Sequence, residues 1–194
     1  MHRTTLRAAC LGLALLGWSG AASANALVNP GFETGVLGPW TGSGALVDSG
    51  FPHAGTYDVA LSTVANGPAA TLSQAVGTVP GNPYQLSFFL LDQGFSPFDT
   101  FTISFGGFSA TVTGDAAFDG STADNYAAQS FAIPGSAVTA ASTTLLFSAV
   151  NANAAFNLDD VVLVPAIRAV PEPMGLTAFV SGLAGLWGAR RRRV

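Results

Sequence analysis

The sequence predicts an all-β protein folded as a two-sheet antiparallel sandwich, and three observations lead to that prediction. Glycine and proline number 23 and 11 among the 194 residues, which suits a loop-rich β protein better than a helical bundle. Between residues 25 and 170, short alternating or apolar runs are separated by Gly, Pro, Asn and Asp, and no amphipathic helical stretch stands out. About ten such runs without helices favour a jelly roll.

The pattern predicts the following strands, in chain order: Ala26–Glu33, Gly44–Asp48, Asp58–Thr63, Ala69–Ala75, Tyr84–Leu91, Asp99–Phe105, Ser109–Thr113, Ala128–Ile133, Thr143–Ala149 and Asn157–Val164. In the sixth run Phe101, Ile103 and Phe105 alternate with Thr102 and Ser104, as a half-buried strand requires.

Two local signals refine this prediction. The stretch from Gln85 to Leu91 is apolar on both faces and predicts a central, buried strand. The Phe105-Gly106-Gly107-Phe108 segment joins two runs and predicts a tight hairpin. Trp40 is the only tryptophan between residues 25 and 170, and we expect it to pack in the core.

Residues 1–24 read as a secretory signal peptide. Arg3 and Arg7 form a positive beginning, and Ala8–Trp18 form an apolar core that is well short of the ~20 residues needed to span a membrane. Ala22-Ser23-Ala24 supplies the small residues of a cleavage site, so cleavage is expected between Ala24 and Asn25. The general secretion machinery is therefore a predicted partner.

Cysteine usage follows from that cleavage. The single cysteine, Cys10, lies within the signal peptide, so the predicted mature chain has no thiol and no disulfide despite its oxidising destination. We therefore expect one β-sandwich domain over residues 25–168, held together by its hydrophobic core.

The last segment, residues 169–194, reads as a membrane-inserted tail. Met174–Ala189 carries no charge and reaches about 24 Å as a helix, slightly short of a ~30 Å hydrocarbon core. Helix initiation at the preceding prolines and a thin bilayer would make up the difference. The arginines that follow orient the tail toward the cytoplasm by the positive-inside rule. The sequence thus predicts a C-terminal single transmembrane helix.

The order of these features resembles the PEP-CTERM sorting signal of Gram-negative bacteria. The matching residues are Pro171, Glu172, Pro173, Arg190, Arg191, Arg192 and Arg193. The resemblance implies an exosortase as partner, transient anchoring in the inner membrane, and then removal of the helix. The exported protein would lie at the cell surface or outside the cell, associated with exopolysaccharide or biofilm.

The charge balance excludes one class of partner. Between residues 25 and 170, Arg168 is the only lysine or arginine, whereas the remaining charged side chains are all acidic. An acidic surface repels nucleic acid and anionic lipid, so no nucleic acid partner is expected. It leaves carboxylates for divalent cations.

The two ends of the predicted sandwich carry a second resemblance. Asn29-Pro30-Gly31-Phe32-Glu33 with Gly38-Pro39-Trp40 opens it, and Leu158-Asp159-Asp160-Val161 closes it. These segments resemble the first and last strands of galactose-binding-like jelly rolls, a group that includes many carbohydrate-binding modules.

That resemblance implies one structural calcium ion. Its candidate ligands are Glu33, Asp159, Asp160 and the His53-Ala54-Gly55 loop, which would add backbone oxygens. The alternative is that these acids are solvated or cap turns. A bulge in the last strand would change which of its two Asp side chains faces the ion.

Three aromatic residues are candidates for stacking against sugar rings: Phe95, Phe98 and Tyr126. Ordinary packing at the rim of the core is the competing interpretation. The acids Asp115, Asp119 and Asp124 lack EF-hand spacing and are expected to form a solvated loop.

Nothing in the sequence favours catalysis. His53 is the only histidine between residues 25 and 170, no triad can be built around it, and no cysteine nucleophile remains after cleavage. We therefore expect a protein that is not an enzyme. The leading hypothesis is a structural or adhesive surface protein. The alternatives are a carbohydrate-binding module that uses loop aromatics and, less favoured, a polysaccharide hydrolase.

Overall fold

A computed structural model describes residues 24–63, 67–94, 96, 98–113, 126–151 and 154–166. The strands are β1 (Thr41–Ser43), β2 (Ala45–Asp48), β3 (Asp58–Ser62), β4 (Ala70–Gly77), β5 (Tyr84–Asp92), β6 (Thr100–Phe105), β7 (Phe108–Thr113), β8 (Ala127–Ile133), β9 (Ser142–Val150) and β10 (Ala155–Pro165). A 3₁₀ turn, Gly135–Ala137, precedes β9. None of the helical structure within these ranges is long and apolar enough to cross a membrane.

The strands form two five-stranded antiparallel sheets. The first sheet has the order β1-β4-β9-β6-β7, and the second has the order β2-β3-β10-β5-β8. Strands that follow one another in the chain alternate between the sheets at several points, as in a jelly roll. The predicted all-β sandwich is thus confirmed. The N-terminal signal peptide, apart from Ala24, and the C-terminal transmembrane helix lie outside the described residues.

The core lies between the sheets and is rich in phenylalanine. Alternate residues of β5, β6 and β9 point inward, so Phe88, Phe101 and Phe147 meet there with ring centroids 5.4 to 5.9 Å apart. Burying each such side chain contributes roughly 1.5–3 kcal/mol. Trp40 packs against Phe32 and Phe147, which confirms the expectation that it is a core residue.

The predicted first strand, Ala26–Glu33, was wrong. This segment consists of turns and bends, because Asn29 and Phe32 have φ angles of 51° and 57°, in the left-handed region that interrupts an extended strand. Residues 24–40 instead run as an irregular segment whose Phe32 side chain is fully buried in the core.

Side chains replace the missing strand hydrogen bonds of that segment. The Gln74 amide accepts from Val28 N at 2.8 Å and donates to Val28 O at 2.9 Å. The Asn25 amide donates to Val161 O and accepts from Leu163 N, which fastens the start of the segment to β10. Polar side chains thus satisfy backbone groups that a strand would otherwise have paired.

Strand β1 was not predicted. Its Thr-Gly-Ser sequence is short, polar and exposed, so it has no hydrophobic alternation to reveal it. It pairs with β4 so closely that a Cβ on Gly42 would lie 2.1 Å from Thr71 O. Only glycine permits that approach.

The other strands lie within a few residues of their predicted positions. The β6–β7 hairpin is confirmed, and its turn begins at Gly106 with φ of 58°. Strand β5 is buried and pairs on both sides, with β10 and with β8. The central strand of its sheet is β10 rather than β5.

Candidate functional site

A β-bulge in β10 brings two consecutive acids to one loop. The pairing of β10 with β5 shifts between Asp159 and Val162, and Asp160 has φ of 50°. Asp159 Oδ2 accepts hydrogen bonds from His53 N at 3.0 Å and Ala54 N at 3.1 Å. Its Oδ1 accepts from the amide of Asp160 at 2.7 Å. The bulge therefore directs both acids toward the 53–57 loop instead of toward opposite faces.

The His53 side chain completes this cluster. His53 Nδ1 lies 2.8 Å from Asp160 Oδ2, and the His53 ring stacks on Phe89 with centroids 3.6 Å apart and planes 14° from parallel. One ligand atom from each of His53, Asp159 and Asp160 lies within 4.8 Å of the others. Three of the four predicted metal residues are thus neighbours.

Glu33, the fourth predicted metal residue, binds the next part of the same loop. Its carboxylate accepts from Thr56 N at 3.0 Å and from Tyr57 N at 3.1 Å. Gly55 passes over it with φ of 72°, and a Cβ there would lie 2.4 Å from Glu33 Oε1. Glu33 and Asp159 therefore fix the loop by accepting its amide hydrogens.

Gly31 lies against the carboxylates of Asp159 and Asp160 and against the aliphatic part of Glu33. A Cβ on Gly31 would lie 3.4 Å from Asp160 Oδ1, 3.7 Å from Asp159 Oδ1 and 3.9 Å from Glu33 Cγ. Carboxylate oxygens are ligands that suit a hard cation such as calcium, and Asp159 and Asp160 supply them side by side. The Glu33 carboxylate accepts from Thr56 and Tyr57 and does not belong to that group. An imidazole nitrogen is not a ligand that calcium prefers, so the side chain of His53 fits this role poorly.

Burial dominates the electrostatics of this cluster. Desolvation raises the pKa of Asp159 to about 6, the backbone amides of Ala54 and Asp160 oppose the rise, and the charge of Asp160 adds to it. A bound cation or a proton would each relieve this cost.

A second polar cluster lies beside the first, on the outer face of the second sheet. Asp58 is fully buried, and its Oδ2 accepts from Asn157 Nδ2 and from the Tyr126 hydroxyl at 3.1 Å. That hydroxyl also lies 2.6 Å from Phe51 O. Burial raises the pKa of Asp58 and of Tyr126. Tyr126, a predicted sugar contact, is thus half-buried with its hydroxyl engaged.

The other predicted sugar contacts lie on the β5–β6 connection. Phe98 is 85% exposed and is the only aromatic among the large exposed apolar residues of the described ranges. Phe95 lies outside the described residues, as do the acids Asp115, Asp119 and Asp124 and the sorting residues 171–173 and 190–193. The described residues thus show one exposed aromatic ring and no flat aromatic platform.

Sequence reasoning missed a different surface, the outer face of the first sheet. Its five strands contain no charged residue. Alternate positions present hydroxyl groups, and we call these residues the hydroxyl face: Thr71, Ser73, Thr102, Ser104, Thr111, Ser142, Thr144 and Ser148. The signal was present as Ser and Thr at every second position of the predicted strands.

A shallow groove of about 330 Å³ crosses one end of the hydroxyl face. Its lining includes Ser104, Ser142, Thr144 and Leu146 together with Thr139 of the preceding loop. The groove therefore combines several hydroxyl groups with two apolar side chains, Ala140 and Leu146, and has no charged residue in its lining.

No protein-family profile and no curated protein matches the chain. Several solved structures, however, match the chain. TmCBM61, determined in complex with β-1,4-galactotriose, matches with a TM-score of 0.55 at 22% identity, over 74% of this chain and all of that one. The CBM22-1 xylan-binding domain of Paenibacillus barcinonensis Xyn10C matches with a TM-score of 0.53 at 20% identity, over 78% and 100% of the two chains.

An arabinose-bound α-L-arabinofuranosidase, MgGH51, also matches, with a TM-score of 0.56 at 15% identity; the match covers 76% of this chain and 27% of that enzyme. The structural neighbours are thus mainly carbohydrate-binding modules, and some belong to glycoside hydrolases. The chain has the β-sandwich jelly-roll fold of carbohydrate-binding modules.

Proposed function

We propose that this domain binds a neutral polysaccharide along the hydroxyl face of the first sheet. The observation that carries the proposal is an uncharged groove of Ser and Thr hydroxyls beside Leu146, on a fold shared with carbohydrate-binding modules. Hydroxyl groups both donate and accept hydrogen bonds, so they match the alternating donors and acceptors of a sugar ring.

The chemistry of the face sets the expected strength of binding. Each neutral hydrogen bond contributes about 0.5–1.5 kcal/mol, so several sugar rings must be engaged together. Leu146 offers an apolar contact for the carbon-bound hydrogens of a ring. The outer face, which presents hydroxyl groups on four strands, therefore suits a chain of sugars better than a single sugar.

The test is calorimetric titration of the full-length protein with neutral oligosaccharides, including galactotriose and xylo-oligosaccharides. We expect Thr144→Val, which keeps the side-chain shape and removes the hydroxyl, to weaken binding about 3- to 10-fold. Ser87→Ala on the outer face of the second sheet is the matched control and should bind normally. Absence of binding to every neutral glycan would refute the proposal.

We also propose that the protein reaches this ligand outside the cell by the sorting route that its ends resemble. Supporting this, the Asn25 side chain is tied to β10, so cleavage before Asn25 would leave the domain's hydrogen bonds intact. An exosortase would recognise Pro171, Glu172 and Pro173, and the released protein would associate with extracellular polysaccharide. Binding without catalysis and a structural calcium ion at Glu33, Asp159 and Asp160 belong to the same proposal.

The sorting route has its own test. Glu172→Ala together with Pro173→Ala should leave full-length precursor in the inner membrane, detected by fractionation with an antibody to the domain. The matched change Ser136→Ala, at an exposed residue of the 3₁₀ turn, should leave processing unchanged. Equal processing of both variants would count against exosortase recognition.

A further inference from the structure

Two buried acids close one end of the core. Asp92 is the last residue of β5 and Asp99 directly precedes β6; their exposed fractions are 0% and 1%. Alternation along β5 places Asp92 on the same inward side as Leu90, and alternation along β6 places Asp99 on the same side as Phe101. One carboxyl group from each sheet therefore enters the space between the sheets.

The two carboxyl groups converge on Gly94. A Cβ on Gly94 would lie 2.4 Å from Asp99 Oδ2 and 3.2 Å from Asp92 Oδ1, so these two oxygens lie no farther apart than those distances together. Asp92 Oδ1 accepts from Gly94 N at 2.8 Å. Asp92 Oδ2 is buried and has no hydrogen-bond partner. A fully buried acid next to another buried acid thus keeps one carboxylate oxygen without a hydrogen-bond partner.

The described residues contain neither lysine nor arginine, and the ring of His53 is engaged with Asp160. Asn151, another inward polar residue near this end, directs its amide to Thr63 and to Leu61 O. Like charges in a low-dielectric interior repel strongly unless a proton or a cation neutralises them.

We propose that Asp92 and Asp99 bind a divalent cation of the calcium type. Calcium takes six to eight oxygen ligands in flexible geometry, and backbone carbonyls and water would complete the two carboxylates. The ion would lie between the sheets, inside the sandwich. Glu33, Asp159 and Asp160 instead contact the 53–57 loop outside it. It would tie β5 of the second sheet to β6 of the first sheet.

The proposed ion would also anchor the connection between β5 and β6. Asp92 and Asp99 bound the connection that carries Phe98, the exposed aromatic residue. With both ends held by one ion, the position of that ring relative to the sandwich depends on calcium. This consequence follows from the site alone and does not require the hydroxyl face to bind sugar.

The experiment counts calcium ions bound to the full-length protein by calorimetry after chelator treatment. The double variant Asp92→Asn/Asp99→Asn keeps side-chain volume and removes both charges, so the number of bound ions should fall by one. Asp160→Asn, beside the 53–57 loop, is the control and should retain the ion held by Asp92 and Asp99. An unchanged number of ions in the double variant would overturn the proposal.

A second measurement guards against a variant that fails to fold. In the Glu33→Gln/Asp160→Asn background, which leaves Asp92 and Asp99 intact, one calcium ion should still bind. No binding in that background would overturn the proposal. The alternative is that Asp92 and Asp99 share a proton instead of binding an ion. The double variant would then gain the same stability in calcium and in chelator, and the number of bound ions would not change. That result would also overturn the proposal.

Discussion

Asp159 is held by two opposing influences. Removal from water favours its neutral form, whereas the amides of His53, Ala54 and Asp160 favour its charged form. Because burial dominates, its pKa lies at about 6, above the value of an exposed aspartate. The folded protein therefore holds this proton more tightly than the unfolded chain does.

The sign of the resulting pH dependence follows directly. With chelator present, the contribution of Asp159 to the free energy of unfolding is greatest below pH 4 and is lost as the pH rises to about 6. The expected loss is at most about 3 kcal/mol. Urea unfolding at several pH values should show a shallower decline for Asp159→Asn than for the wild type. Asp48→Asn serves as the control, and an identical slope in all three proteins would contradict the argument.

Gly55 allows a second test at a single residue. Its φ of 72° is strained for any side chain, and a Cβ would collide with the Glu33 carboxylate. Gly55→Ala should lower the free energy of unfolding by about 1–3 kcal/mol, measured by urea denaturation. Gly77→Ala is the matched control, because nothing lies within 4 Å of its added methyl group. Equal stability of the two variants would contradict this prediction, because it would mean that the 53–57 loop shifts to accommodate the added methyl group.

Strand β10 is the element that organises the cluster of Glu33, His53, Asp159 and Asp160. Its regular half pairs with β3 and β5, and its bulge delivers Asp159 and Asp160 to one loop. Glu33 reaches that loop from the irregular segment before β1. One strand and one irregular segment thus clamp residues 53–57 between them.

Two substitutions of Glu33 separate loop capping from calcium binding. Glu33→Gln keeps an acceptor for the amides of Thr56 and Tyr57 but lacks the charge, so its melting temperature should fall in calcium and change little in chelator. Glu33→Ala loses both functions and should fall in both conditions, by more in calcium. Scanning calorimetry measures this, and equal drops with and without calcium for Glu33→Gln would exclude the metal role.

At the scale of the whole molecule, charge and hydroxyl chemistry are segregated. None of the five strands of the first sheet carries a charged residue, whereas the second sheet contains Asp48, Asp58, Asp92, Asp159 and Asp160. The proposed sugar surface therefore belongs to the sheet whose strands carry no charged residue.

This segregation predicts how binding responds to salt. Contacts between neutral hydroxyls are not screened by ions, so affinity for a neutral glycan should change less than about twofold between 50 and 500 mM salt. Titration at both ionic strengths measures this, with a polyuronate as the comparison ligand. A steep salt dependence for the neutral glycan would mean that charged residues, and hence another surface, carry the binding.

The sequence by itself determined the features that depend on neighbouring residues. Period-two alternation located most of the strands, and the two glycines after Phe105 located the hairpin. Short motifs at both ends of the domain resemble galactose-binding-like jelly rolls, and that resemblance, rather than local spacing, pointed to Glu33, His53, Asp159 and Asp160.

Only the tertiary structure decided the rest, because it depends on strand order and on side-chain partners far apart in the chain. Val28 bonds to Gln74 instead of continuing a strand, and the left-handed φ of Phe32 has no sequence signature. Asp92 and Asp99 are close in sequence, but only their placement in different sheets turns both inward at one point. A local pattern gives the side of a strand on which a residue lies, whereas the fold decides what faces it.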